Sequence, residues 1–115
     1  MRDVFDRFQD IIFSVENISY LRRKNLEIYK AKLTFIDGSN LRISEKVVYG
    51  NLDKYSYYWL DGRNQLIIGW DNAPHHKELP NFPHHKHTYG RTLASYEVGL
   101  DAVLKVIKSI LSPQS

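Results

Sequence analysis

Apolar residues recur with two different periods along the chain. Val4, Phe8, Ile11, Ile12 and Val15, with Phe5 beside them, follow helical spacing, and Asp3 is placed to cap the segment. This predicts a short amphipathic helix from about Asp3 to Ile12 and a first strand over Val15 to Arg22, ending in the polar cluster "RRKN". The period then becomes two. Leu26 and Ile28 alternate with polar neighbours, as do Ala31, Leu33 and Phe35, with a phase slip at Tyr29–Lys30 that reads as a bulge. Asp37-Gly38 is a hairpin signal, Leu41, Ile43, Val47 and Tyr49 mark the return strand, and "GNLD" connects to the aromatic strand "KYSYYWL". A second Asp-Gly hairpin, "DGRN", leads into "QLIIGW".

Beyond Trp70 the alternation stops. Pro74, Pro80 and Pro83 remove amide donors and hold their predecessors extended, so 72–87 is expected to be a stiffened irregular loop. Leu100, Val103, Leu104, Ile107 and Leu111 then form one helical face, with Pro113 just past its end. That stripe requires a sheet to cover it. The expected fold is α+β: an antiparallel meander of about five strands packed by an N-terminal and a C-terminal helix, as a single domain over 1–115.

Composition changes this picture little. A chain of 115 residues with 43% hydrophobic and 25% charged positions is long enough for one core. No apolar run approaches the roughly 20 residues of a membrane span, and the acids in "MRDVFDRFQDII" argue against a signal peptide. With no cysteine, disulfides, thiolate zinc sites and cysteine nucleophiles are excluded, which suits a cytoplasmic protein. A net charge of +3 permits a nucleic-acid or acidic protein partner. No phosphate-binding glycine loop, dinucleotide fingerprint or Gly-x-Ser-x-Gly elbow is present.

The chemistry concentrates in "NAPHHKELPNFPHHKH", Asn72 to His87, which holds all five histidines. Imidazoles titrate near neutrality, so a pair supplies one base and one acid. RNA cleavage needs that pair together with a cation near the phosphate, for which Lys77, Lys86 or Arg91 is available. Asp71 can orient a histidine. His85 and His87, at i and i+2, share a face if the chain is extended there, with His84 pointing away. His76 and His84 stand eight residues apart, a span of about 25 Å if extended, so they cooperate only if "KELPNFP" doubles back. Leu79 and Phe82 are candidate anchors for that fold-back. The expected catalytic group is Asp71, His75, His76, His84, His85, Lys86 and His87, with Lys86 steadying phosphate. Tyr57, Trp59, Lys77 and Arg91 are candidates for contact with substrate, the two aromatics by stacking on bases. A sheet face turned to the core would use the same aromatics, Tyr55, Tyr57 and Trp59 lying on one side and Tyr58 and Leu60 on the other. The arrangement needs no cofactor, although His-x-His with Asp71 or Glu78 is also a workable site for a divalent metal.

The segment "YSYYWLDGRNQLIIGWDNAPHHKELPNFPHHKH" resembles the hallmark region of the TumE family, toxins of toxin–antitoxin pairs. The resemblance is carried by the Tyr-Ser-Tyr-x-Trp strand at Tyr55 to Trp59, the Trp-Asp-Asn-Ala-Pro-His-His run at Trp70 to His76, and Phe-Pro-His-His-Lys-His at Phe82 to His87. It implies a cytoplasmic toxin held by a cognate antitoxin protein. It implies no mechanism. From the residues, the leading expectation is a metal-independent endoribonuclease acting on RNA. Two alternatives stay open: a non-catalytic module binding nucleic acid or protein, and a metal-dependent hydrolase or nucleotidyl-transferring enzyme.

Overall fold

A computed structural model describes residues 2–112. The order is α1 (Arg2–Arg7), β1 (Ile12–Arg23), β2 (Leu26–Phe35), β3 (Asn40–Val48), β4 (Asn51–Leu60), β5 (Leu66–Asp71), β6 (His85–Thr88), β7 (Arg91–Ala94) and α2 (Leu100–Leu111). The strands make one antiparallel sheet in sequence order, β1 to β7. The α+β meander is as expected, but it has seven strands rather than about five.

The two additional strands are β6 and β7. Each is only four residues long, and β6 (His-Lys-His-Thr) has no apolar alternation for a pattern search to find. Tyr89-Gly90 joins them with φ of 50° and 72°, the doubly left-handed two-residue turn that matches strand twist. The irregular loop therefore spans 72–84 and stops short of His87.

α1 is also shorter than its apolar spacing predicts. It ends at Arg7 and continues as turns closed by Phe8 N–H to the Phe5 carbonyl and Ile11 N–H to the Phe8 carbonyl, each 3.1 Å. Asp3 lies in its first turn rather than at a cap. Ile12 and Val15 belong to β1. Nor does β2 bulge at Tyr29–Lys30. The extra residue is in β1, where Asn17 and Ile18 span the interval between the Glu16–Lys32 and Ser19–Lys30 pairs, and Asn17 takes φ of 54°. The phase slip in β2 arises because its two halves bury opposite faces: Ile28 lines a groove, whereas Ala31, Leu33 and Phe35 enter the core.

That core lies between one face of the sheet and the two helices. Leu33, Phe35, Leu41, Ile43, Tyr55, Tyr57, Trp59 and Trp70 meet Phe8, Ile11 and the Leu100, Val103, Leu104, Ile107 stripe of α2. Burying each large apolar side chain contributes roughly 1.5–3 kcal/mol, so this layer dominates stability. Leu111 packs at its edge, and Pro113 lies outside the described residues. Among the described residues no helix is long and apolar enough to cross a membrane.

Candidate functional site

Because side chains alternate along a strand, the residues between the core positions share the other face. Register then decides which of them meet. Ser56 of β4 pairs with Asp71 of β5, and Asp71 with His85 of β6. One row along, Tyr58 pairs with Gly69, Gly69 with His87, and His87 with Thr92 of β7. Two adjacent rows thus carry Asp71, His85, His87 and Tyr58 onto one surface.

The loop returns to this surface. Ala73 N–H donates to Asp71 Oδ1 at 3.0 Å. Asn72 accepts from Tyr55 N–H at 3.0 Å and donates to the Asp53 carbonyl at 3.0 Å, while Asn81 donates to the Ser95 carbonyl at 2.8 Å. These asparagine contacts tie the loop down; Phe82, expected as an apolar anchor, stays 40% exposed. The fold-back brings the His76 ring to 5.0 Å from His85 and 6.1 Å from His87, which are themselves 4.9 Å apart between centroids.

Asp71 is the hub. Its Oδ1 is 2.9 Å from His85 Nε2, and its Oδ2 is 3.4 Å from His87 Nε2. The Tyr58 hydroxyl donates to Oδ2 at 3.2 Å. Burial, and then the negative charge of Asp71, push the Tyr58 phenol above its usual pKa, so it stays a donor. His85 is buried, with Nδ1 3.0 Å from the Pro83 carbonyl. A carbonyl only accepts, so Nδ1–H donates to it and Nε2 faces the carboxylate. His87 Nδ1 lies 3.3 Å from Thr92 Oγ1. Asp71, His85 and His87 together offer ligand atoms within 4.8 Å of one another, a set able to hold a metal ion.

The surface forms an open groove of about 610 Å³, lined also by His75, His76, Ser56 and the exposed Lys30, Lys46 and Lys54. Those three lysines were not singled out from the sequence. They occupy the polar phase of β2, β3 and β4, a pattern that on its own reads as an ordinary solvated face. Tyr58 was assigned only to the face opposite Tyr57.

The other expected site residues are scattered. His75 is exposed on the groove wall, and Lys77 is exposed on the loop. His84 is drawn aside, with Nδ1 2.8 Å from the Tyr55 hydroxyl and its ring stacked on Tyr55. Lys86, between two groove-facing histidines, turns to the opposite face and pairs with Glu97 at 3.1 Å. Arg91 is exposed at the start of β7. Tyr57 and Trp59 are buried in the helix-covered core, Trp59 Nε1 donating to Ser39 at 3.0 Å and the Tyr57 hydroxyl to Glu45, so neither ring faces the groove. The core reading of these aromatics is the one the fold adopts.

With this geometry in hand, comparison with known proteins adds a family. A family model described as "Toxin TumE" matches residues 1–111. No curated protein and no solved structure matches the chain.

Proposed function

We propose that this chain, which belongs to the TumE toxin family, acts on RNA by cleaving phosphodiester bonds in the groove above Asp71. Family membership makes it a toxin of a toxin–antitoxin system and implies an antitoxin partner. The choice of RNA rests on the site. The observation that carries it is the meeting of three imidazoles, of His76, His85 and His87, at the foot of an open groove bordered by Lys30, Lys46 and Lys54.

The chemistry follows from that placement. Phosphodiester cleavage removes a proton from the attacking oxygen and returns one to the leaving oxygen, while negative charge builds on phosphorus. The lysines draw a polyanion into the groove without reading its sequence. His76, partly exposed and with Nδ1 3.5 Å from Glu78 Oε1, is placed to exchange a proton with substrate. His85 is buried with both ring nitrogens engaged, so it positions Asp71 and does not shuttle protons to substrate.

The test is end-labelled RNA incubated with purified protein, with divalent metals added or chelated. Wild type should cut, His76→Ala should cut at least about 100-fold more slowly, the low end for one acid–base group, and Lys54→Glu should also cut more slowly. Intact RNA under every metal condition rejects RNA as the target and favours a binding role.

A further inference from the structure

We propose that His85 Nε2, His87 Nε2 and the Asp71 carboxylate bind one divalent transition-metal ion, of the kind zinc, cobalt and manganese represent. The catalytic use of that ion rests on the reading of the groove as the active site; its binding does not.

Ligands about 2.0–2.1 Å from a tetrahedral ion stand about 3.3 Å from one another. His85 Nε2 and His87 Nε2 are 2.9 and 3.4 Å from the two oxygens of Asp71. The ligand atoms of the three residues all lie within 4.8 Å of one another, so an opening at His85 and a closing of the longer separations would bring them onto one ion.

The Pro83 carbonyl holds the His85 proton on Nδ1, and Thr92 offers His87 Nδ1 an oxygen partner. The His85 ring therefore aims an Nε2 lone pair at the carboxylate, and His87 does the same in the tautomer whose Nδ1–H donates to Thr92. An oxygen partner on Nδ1 is the outer support that orients metal-binding histidines and fixes their tautomer. A neutral imidazole facing a carboxylate at 2.9 Å, with side chains only 3% and 10% exposed, is repulsive unless a cation lies between. A proton on His85 relieves one contact. A dication in that place serves His85 and His87 together.

Ala73 N–H and the Tyr58 hydroxyl hold the two carboxylate oxygens in place. The cluster opens on the groove, leaving a position for water or a phosphate oxygen, where the ion would act as a Lewis acid. Two imidazoles and one carboxylate suit a transition metal better than magnesium or calcium, which take oxygen donors.

The experiment is titration of metal-stripped, full-length protein with Zn²⁺ by calorimetry and with Co²⁺ by visible absorption. We expect one ion per chain and a four-coordinate cobalt spectrum. His87→Ala and Asp71→Asn should each lose at least about 100-fold in affinity, the most that outer partners alone cost. His84→Gln, outside the cluster, should bind as wild type does. If a variant does not fold, the ring-nitrogen resonances of wild-type His85 and His87 decide, since ligands shift on adding Zn²⁺ and bystanders do not. Absence of binding by wild type, or binding unaffected at His85 and His87, overturns the inference. A bound ion without RNA cleavage keeps the metal and rejects RNA; cleavage by a protein that binds no ion does the reverse.

Discussion

The ring of Tyr58 lies over Gly69 on the neighbouring strand: a Cβ built on Gly69 would come within 2.4 Å of Tyr58 Cδ1 and 2.6 Å of Cε1. The glycine leaves the space that lets Tyr58 reach Asp71. Gly69→Ala should therefore cost about 1–3 kcal/mol, the range for overpacking, and lower activity by displacing the phenol. Denaturant unfolding of a double-mutant cycle with Tyr58→Ala checks this. The two changes should couple, the second relieving the clash of the first; strict additivity would mean that the ring does not depend on the glycine.

Lys30 and Lys54 border the groove from separate strands. If RNA phosphates lie there, replacing either by Ala should weaken RNA binding and flatten its salt dependence by about 0.7 in log–log slope per lost contact. Filter binding across a salt series measures the slope. An unchanged slope would place the polyanion elsewhere.

Lys86 and Glu97 work on the other face. Glu97 accepts from Lys86 at 3.1 Å and from Trp70 Nε1 at 3.3 Å. Partial burial raises the Glu97 pKa, but the Lys86 and Trp70 hydrogen bonds outweigh it and hold the carboxyl below its ordinary value. A lowered folded pKa gives stability that is present above the unfolded pKa and lost as pH falls through the folded one. Glu97→Gln should thus cost about 1 kcal/mol at neutral pH and progressively less in acid, without altering groove chemistry. Urea midpoints against pH test the first statement and RNA cleavage the second.

The tyrosines predict the alkaline limit. Burial, then the charges of Asp71 and Glu97, push Tyr55 up to about 12, and burial with Glu45 raises Tyr57 further. A raised folded pKa gives stability that is complete below the unfolded value, near 10, and lost as pH climbs through the folded one. The protein should lose stability from about pH 10 upward. Ultraviolet titration should show these two phenols ionising only with unfolding, and Tyr55→Phe should reduce the slope of stability against pH.

The antitoxin should carry an acidic segment that covers the lysine-bordered groove. Raising salt should then weaken the complex, mainly through slower association, and the complex should protect RNA. Binding measured across ionic strength decides; a salt-independent complex with an accessible groove would contradict it.

Much of the fold was legible because local periodicity reflects burial. The stripe Leu100, Val103, Leu104, Ile107 has one reading, a helix needing a sheet, and all four are buried. Tyr55, Tyr57 and Trp59 share one side of a strand by alternation alone, and that side is core. The same alternation puts His85 and His87 on one face and sends Lys86 to the other, away from the phosphate it was expected to steady. What alternation cannot supply is the identity of neighbours. Strand register is set by non-local hydrogen bonds, and a polar four-residue strand such as β6 has no pattern to announce its pairing.

The sequence by itself determined the chemical inventory, confined its histidines to one stretch, and set which residues of each strand share a side. Only the tertiary structure decided that β6 lies against β5 with Asp71 opposite His85, that His76 folds back over them while His84 leaves, and that three lysines from three strands border one groove. The reason is distance along the chain. Composition and period are local properties, whereas the site is assembled from β2 to β6, and its contacts exist only once the register of every intervening pair is fixed.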